Sequence, residues 1–137
     1  MATFNLSIVA PDKSVLDEPV EYVIVPGSEG YFGVLAGHMP FIAALKPGIV
    51  EIGADSRQER HYFAVAGGFA EVTGNKVTIL ADAAERATDI DVARAERSLE
   101  NARMALRGED TEMTTEDAVL ALERAMNRVK ASQLVRS

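Results

Sequence analysis

The chain has no cysteine, and none of its apolar stretches approaches the roughly 18 residues that a transmembrane helix needs. The lack of thiols excludes a disulfide framework and a thiolate metal site, and it fits a reducing compartment. Basic residues are outnumbered, and the net charge of −7 argues against nucleic-acid binding. The first residues lack the basic and apolar segments of a secretory signal, so we expect a soluble intracellular protein.

Proline and glycine are also absent from most of the second half. No proline follows Pro47, and Gly108 is the only glycine after Gly74. This change of composition places a boundary near residues 81–89, with turn-rich sequence before it and helical sequence after it. We therefore expect two domains, residues 1–87 and 88–137.

The first part has the pattern of short strands. In FNLSIVA, the apolar Phe4, Leu6 and Ile8 alternate with Asn5 and Ser7, which gives one buried face. Similar segments, each bounded by turn residues, are VEYVIV (20–25), GIVEI (48–52), RHYFAVA (60–66), GFAEV (68–72) and KVTIL (76–80). Roughly six to ten such strands predict an antiparallel β-sandwich or flattened barrel, because a single open sheet would leave one face unburied.

The second part changes to a helical period. Two runs of apolar residues are spaced three and four apart: Val92, Ala95, Leu99, Ala102, Leu106, and then Val119, Leu122, Met126, Val129. Thr88 with Asp91 and Thr114 with Asp117 have the spacing of a capping box. The fold class is therefore α+β, with the sandwich followed by an antiparallel two-helix hairpin. Alanine dominates the predicted seam, so the helices can lie close together but gain little from burial.

No set of catalytic or metal-ligating residues is visible. The histidines, His38 and His61, have neither a nucleophile partner nor the spacing of a metal motif. GGFAEVTGNKV lacks the Gly-Lys-Ser/Thr ending of a phosphate loop and lies between strands. An enzyme is therefore the least favoured class, and no cofactor is required.

The final helix is basic although the protein is acidic. Its cationic side chains are Arg124, Arg128, Lys130 and Arg136. Arg124 and Arg128 are four residues apart, so their like charges repel slightly on one helix face, and a bound anion would remove that repulsion. The alternatives are a solvated basic face and an electrostatic contact with an acidic partner.

Several motifs in fixed order carry a family resemblance. They are FNLSIVAPD, VPGSEGYFGVLAGHMPFIAALKPGIVEI, FAVAGGFAEVTGNKVTILADAAERATDIDVARAE and LERAMNRVKASQ, and together they span the whole chain. The chain thereby resembles the epsilon subunit of bacterial and chloroplast F-type ATP synthases, whose mitochondrial counterpart is called delta. The resemblance implies the same sandwich and hairpin that the residue pattern predicts.

The resemblance also implies a mechanical function without chemistry. In this family the sandwich packs on the gamma subunit, and its loops rest on the ring of c subunits, which couples proton flow to rotation in the catalytic head. By similarity, the residues expected to face the c ring are Ser28, Glu29, Tyr31 and His38. His38 would then be an interface residue; taken alone, it is more typical of a structural histidine.

A nucleotide site is implied at the start of the first helix. Some bacterial relatives bind ATP through Ile/Leu-Asp-x-x-Arg-Ala, which this chain matches from Ile90 to Ala95. By similarity the ligand residues would be Glu85, Asp91, Arg94, Arg124 and Arg128, with the guanidiniums gripping phosphate. Asn101 stands where strong binders carry another arginine. The alternative is an ordinary helix start, with Asp91 stabilised by the helix dipole and paired with Arg94.

The resemblance further implies a regulatory hairpin. In bacterial relatives the extended second helix meets acidic segments of the catalytic alpha and beta subunits and stops ATP hydrolysis, and Arg124, Arg128, Lys130 and Arg136 supply the required charge. We expect a peripheral subunit on the cytoplasmic face of a bacterial inner membrane. The competing hypothesis is a free-standing ATP sensor that acts outside any synthase.

Overall fold

A computed structural model describes residues 2–54, 59–109 and 112–136, apart from the side chains of residues 54, 59 and 136. The chain divides into two compact units, residues 1–86 and residues 87–137. Strands build the first unit and helices build the second. Residues 55–58, between the predicted strands GIVEI and RHYFAVA, and residues 110–111, between the two predicted helices, lie outside the described residues.

Eight strands form the first unit within the described part of the chain, which agrees with the predicted number. They are β1 (Phe4–Ala10), β2 (Lys13–Val20), β3 (Tyr22–Gly27), β4 (Gly30–Leu35), β5 (Phe41–Ala54), β6 (Glu59–Thr73), β7 (Lys76–Ala81) and β8 (Ala84–Arg86). The predicted alternation of β1 is confirmed, since Phe4, Leu6 and Ile8 are buried between half-exposed Asn5 and Ser7.

The strands form one sheet in the order β2-β1-β7-β6-β5-β3-β4, and β8 pairs with β6 beside β7. The prediction of an antiparallel sheet is wrong at one place, because β1 and β7 are parallel, with Leu6 opposite Val77. These two strands come from opposite ends of the unit. No short hairpin joins them, so the turn geometry that enforces antiparallel neighbours does not apply.

β5 and β6 are longer than predicted, with 14 and 15 residues. They pair from Phe41 opposite Val72 to Gly53 opposite Arg60, whereas the predicted strands in this region were the shorter segments GIVEI, RHYFAVA and GFAEV. Gly67 and Gly68 have φ angles of 104° and 125° inside the strand. Glycine adopts these angles without a Cβ clash, so the pair changes the strand locally without ending it.

One apolar core stabilises the first unit. Its largest fully buried side chains are Phe63, Leu6, Ile8, Ile52, Ile79, Val23, Val25, Val34, Val50, Val65, Val72 and Val77. Each contributes about 1.5–3 kcal/mol through burial. Strands from across the sheet supply these residues, so the sheet encloses a single core.

The second unit is a helical hairpin that begins with a 3₁₀ turn, Ala87–Asp89. Helices α1 (Val92–Leu106) and α2 (Thr115–Arg136) follow, and the short connection between them makes the pair antiparallel. The predicted cap at Thr114 is confirmed, since its Oγ1 accepts from the Asp117 amide at 3.1 Å. The predicted cap at Thr88 is wrong, because Asp91 is the N-cap of α1.

The seam between the helices differs from the predicted one on α2. Val119 and Met126, which were predicted to face α1, are 41% and 51% exposed. The fully buried positions are Ala95 and Ala102 on α1 and Ala118, Ala125, Ala131 and Ser132 on α2. Small side chains allow the helix backbones to approach closely. The alanines therefore occupy the buried seam, and the larger apolar residues lie outside it. Among the described residues, no helix is long and apolar enough to cross a membrane.

Candidate functional site

The turn between β3 and β4 presents two of the predicted contact residues. Ser28 and Glu29 form a two-residue connection, closed by the pairing of Gly27 with Gly30, and both are exposed. The Ser28 amide donates to the Ala44 carbonyl at 2.9 Å, which ties the turn to β5. The turn therefore projects from the sheet and is held to β5 by this hydrogen bond.

Tyr31 has a structural contact that sequence reasoning missed. The pairing of β3 with β5 shifts register between Ile24 and Gly27, and there the Ile49 amide donates to the Tyr31 hydroxyl at 3.0 Å. Lys46 Nζ lies 5.7 Å from the centroid of the Tyr31 ring. The tyrosine fills an interruption in the sheet while half of its side chain stays exposed, so it can still contribute to a surface.

His38 lies on the exposed segment that returns the chain from β4 to β5. Its Nδ1 is 3.0 Å from the Met39 carbonyl, and its ring centroid is 5.0 Å from that of Phe41. Phe41 in turn packs edge-on against Phe32 at 5.3 Å. This row of rings holds His38 at the surface of the sheet unit.

Large exposed apolar side chains near His38 in the chain were not singled out from the sequence. Leu35 is 65% exposed, Met39 is 78% exposed and Ile42 is 70% exposed. Ile42 is in phase with Ala44 and Lys46 along β5, so strand parity places it on the same outer face as the lysine. That parity is the signal that could have identified Ile42 as a surface residue.

A second exposed apolar area lies on the outer face of β6 and β7. Phe69 pairs with Leu80, and the two are 56% and 52% exposed. Ala44 is the partner of Phe69 on the other side. Phe69 shares its parity with Glu71, which again shows that it belongs to the polar face. Contiguous exposed apolar area of this kind is typical of a protein contact surface.

On the hairpin, the carboxylate of Asp91 is engaged in capping. Its Oδ1 accepts from the Arg94 amide at 3.1 Å, and its carbonyl accepts from the Ala95 amide at 2.9 Å. The contact is with the main chain of Arg94, not with its guanidinium as the alternative interpretation expected. Arg94 is exposed, and no described carboxylate forms an ion pair with it.

The common seven-residue step of the buried alanines indicates that the candidate arginines lie within about two helical turns of one another along the hairpin. Ala95 and Ala102 ascend α1 while Ala125 and Ala118 descend α2 in the same seven-residue step, which sets Ala95 level with Ala125. Arg94 and Arg124 each precede one of these alanines. Arg128 follows one turn later along α2, about 6 Å away along the helix axis. Asp91 lies at that level too, one turn before Arg94.

The remaining candidates differ in their surroundings. Arg124 and Lys130 are exposed, Arg128 is half-buried, and the side chain of Arg136 lies outside the described residues. Glu85 belongs to β8 in the first unit, where it is half-buried and pairs with Ala64 of β6. The five predicted ATP residues are therefore divided between the two units.

Arg107 closes α1 through two carboxylates. It donates to Glu100 Oε1 and Glu109 Oε2, both at 3.2 Å. The hydrogen bonds that Arg107 donates to Glu109 and then to Glu100 raise the pKa of Arg107 above its ordinary value. All three side chains are about half exposed, so these ion pairs contribute little to stability. The described residues hold no cluster of three or more His, Asp or Glu side chains able to bind a metal.

A strand sandwich followed by an alanine-seamed helical hairpin defines a class of two-domain proteins. Residues 3–87 match the ATP synthase delta/epsilon chain beta-sandwich domain, and residues 88–133 match the ATP synthase delta/epsilon chain long alpha-helix domain. The chain belongs to the ATP synthase delta/epsilon chain family. This confirms the resemblance inferred from the motifs.

Individual relatives agree over nearly the whole length. An ATP synthase epsilon chain of Nitratidesulfovibrio vulgaris is 45% identical over 93% of this chain and 94% of its own. One from Myxococcus xanthus is 41% identical over 98% and 94%. A chain in the Euglena gracilis mitochondrial ATP synthase structure (OSCP/F1/c-ring, rotational state 1) superposes with a TM-score of 0.80, at 30% identity over 97% of this chain and 82% of that one.

Proposed function

We propose that the chain is a non-catalytic central-stalk subunit of a proton-translocating F-type ATP synthase. The observation that carries this proposal is the match of both units to the two domains of one family, with relatives named ATP synthase epsilon chain. The similarity to a chain of an F1/c-ring assembly supports a place in the rotor. The subunit would work as a peripheral part of the complex on the cytoplasmic face of a bacterial inner membrane.

In this proposal the sandwich (residues 1–87) transmits rotation by binding two neighbours. Ser28, Glu29, Tyr31 and His38 would contact the c ring, which is supported by the exposure of all four residues. The gamma subunit would pack on exposed apolar area of the sheet, for which Phe69 and Leu80 are candidates. Burial of such area is the main favourable term in stable subunit contacts.

Co-purification tests this assembly. The tagged chain should carry alpha, beta, gamma and c subunits through purification in mild detergent. The Phe69→Asp, Leu80→Asp double variant should no longer retain the gamma subunit. Lys76→Asp, on the same strand as Leu80, is the control for added negative charge. If the wild-type chain purifies alone, the free-standing ATP sensor becomes the better interpretation.

The hairpin (residues 88–137) would inhibit ATP hydrolysis by placing its basic helix against acidic segments of the catalytic subunits. The exposure of Arg124 and Lys130 supports this contact. Deleting residues 88–137 should raise the ATPase activity of the assembled complex, and Arg124→Gln with Lys130→Gln should raise it partly. Arg103→Gln on α1 is the matched control, and unchanged activity after the deletion would contradict inhibition.

ATP would act as a regulatory ligand that holds the hairpin closed. The support is that Asp91 and Arg94 of α1 and Arg124 and Arg128 of α2 belong to one antiparallel hairpin, so guanidiniums from both helices could grip one phosphate chain. Calorimetric titration with magnesium-ATP should give saturable binding, weakened at least about tenfold by Arg94→Ala. Arg97→Ala on the same helix should leave the affinity unchanged.

Asp91 needs a control of its own because it caps α1. Asn caps a helix as well as Asp does, so Asp91→Asn removes the charge and keeps the cap. If Asp91 binds ATP, the Asp91→Asn variant should have an altered affinity for ATP, whereas its helix content should equal that of the wild type. Absence of saturation at millimolar ATP in the wild-type chain would leave Asp91 as a helix cap only.

A further inference from the structure

The sheet is interrupted beside the turn between β3 and β4. The pairing of β3 with β5 stops after Ile24 and resumes at Gly27 in a shifted register. On β5 the gap spans residues 46–50, which are more residues than the part of β3 that faces them. Main-chain groups in such a bulge lose their partners in the ladder, so a buried amide there needs another acceptor.

Tyr31 provides that acceptor from the other side of β3. It is the cross-strand partner of Pro26, and its hydroxyl accepts from the Ile49 amide of β5 at 3.0 Å. Ile49 is 7% exposed, so water has little access to this amide. The Tyr31 side chain therefore spans β3 at Pro26 and connects β4 directly to β5.

Gly48 leaves the space that the Tyr31 hydroxyl occupies. A Cβ added to Gly48 would lie 2.7 Å from the Tyr31 hydroxyl oxygen and 2.5 Å from Pro26 Cβ, closer than nonbonded atoms can approach. The φ angle of Gly48 is not positive, so close packing and not backbone conformation requires glycine here. A larger residue would have to displace the hydroxyl or the proline.

Two hydrogen bonds hold the turn to β5, one on each side of the interruption. The Ser28 amide donates to the Ala44 carbonyl at 2.9 Å, and the Ile49 amide donates to the Tyr31 hydroxyl. In the described sheet order β4 is an end strand beside β3, so Tyr31 gives it a second attachment. The direction of the turn, and of Ser28 and Glu29 at its tip, therefore depends on both bonds.

We propose that Tyr31 and Gly48 are positioning residues, which fix the direction of the turn so that Ser28 and Glu29 meet the c ring in one orientation. This rests on the proposed function, which supplies the c ring as the partner. The Tyr31 hydroxyl acts within the chain, on Ile49, and Gly48 acts by making room for it. A turn that is fixed before binding loses less conformational freedom when it meets its partner, which strengthens the contact.

Tyr31→Phe and Gly48→Ala test this positioning against two assemblies. One is the complete complex depleted of this chain, and the other is the alpha-beta-gamma assembly without the c ring. Both variants should bind the complete complex at least about threefold more weakly than wild type and bind the alpha-beta-gamma assembly as wild type does. Because both break the same contact, the double variant should bind no more weakly than the weaker single variant, and an additive loss overturns the proposal.

Gly33→Ala on β4 is the control for an added methyl group, since the nearest atoms to a Cβ there are 3.8 and 3.9 Å away. Gly48 is buried, so its variant changes the c-ring contact without touching the ring itself. Equal binding of the complete complex by Gly48→Ala and Gly33→Ala overturns the proposal. Equal losses in both assemblies show a general structural role and also overturn it. Wild-type chain that binds the two assemblies equally overturns the c-ring contact of the proposed function, and the proposal with it.

Hydrogen exchange of the free chain tests the contact without any partner, should Gly48→Ala fail to fold. In Tyr31→Phe, the amides of Ile49 and Ser28 should exchange at least about tenfold faster relative to the amides of β1, whose exchange follows global stability. Tyr62→Phe is the control. A change at Ile49 and Ser28 that is no larger than the change in β1 makes Tyr31 a stabilising residue only, which overturns the positioning role and leaves the proposed function intact.

Discussion

At the scale of single residues, Gly68 illustrates a backbone position that only glycine can occupy. A Cβ there would lie 2.0 Å from the Leu80 carbonyl oxygen, and the φ angle is 125°. We expect Gly68→Ala to lower the free energy of unfolding by at least about 2 kcal/mol, because the strained φ and the clash add. Denaturant unfolding measures the change, and Gly33→Ala, which meets no close atom, should alter it by less than about 0.5 kcal/mol.

Tyr31 provides a second prediction at this scale. Tyr31→Phe removes the hydroxyl that accepts from the Ile49 amide, and should cost about 1 kcal/mol of unfolding free energy. Tyr62→Phe is the control, because no described residue bonds to the Tyr62 hydroxyl. If Tyr31→Phe is as stable as Tyr62→Phe, water replaces the Tyr31 hydroxyl as the partner of the Ile49 amide without loss of stability.

At the scale of elements, the alanine seam controls the hairpin. Ala125 is 2% exposed between the helices, so Ala125→Leu must separate them, and we expect a loss of about 1–3 kcal/mol in hairpin stability. The neighbouring Met126→Leu, at a half-exposed position, should be nearly neutral. Hydrogen exchange of α2 amides measures both. If Ala125→Leu leaves the stability of the hairpin unchanged, close packing of the helices at Ala125 is contradicted.

The caps of the two helices show how much local sequence determines. Thr114 was identified from its spacing to Asp117, because the hydroxyl needs only an amide three residues away. The same spacing wrongly predicted Thr88 as the N-cap of α1. Thr88 belongs to the 3₁₀ turn Ala87–Asp89, so α1 begins later and Asp91 is its N-cap. A capping motif therefore predicts the start of a helix reliably when its residues do not belong to another element of secondary structure.

At the scale of the whole molecule, all of the largest fully buried side chains belong to strands of the first unit. We therefore expect residues 1–87 alone to retain cooperative unfolding and the β-type circular dichroism of the first unit. Residues 88–137 alone, with alanines in the seam, should unfold at a much lower temperature. Thermal scans of the two fragments and the full chain measure this. Loss of cooperative unfolding in residues 1–87 would mean that the hairpin stabilises the sheet.

Sequence alone determined the family, the order of a strand sandwich and a helical hairpin, and the residues proposed to bind neighbours or ATP. These follow from period, turn chemistry and ordered motifs, which are properties of neighbouring residues. Tertiary structure decided the parallel pairing of β1 with β7, the continuity of β5 and β6, and the face of α2 that is buried. Each of these depends on residues distant in the chain: a helix or strand pattern specifies a period, but the facing element determines which of its faces can pack closely and which stays exposed.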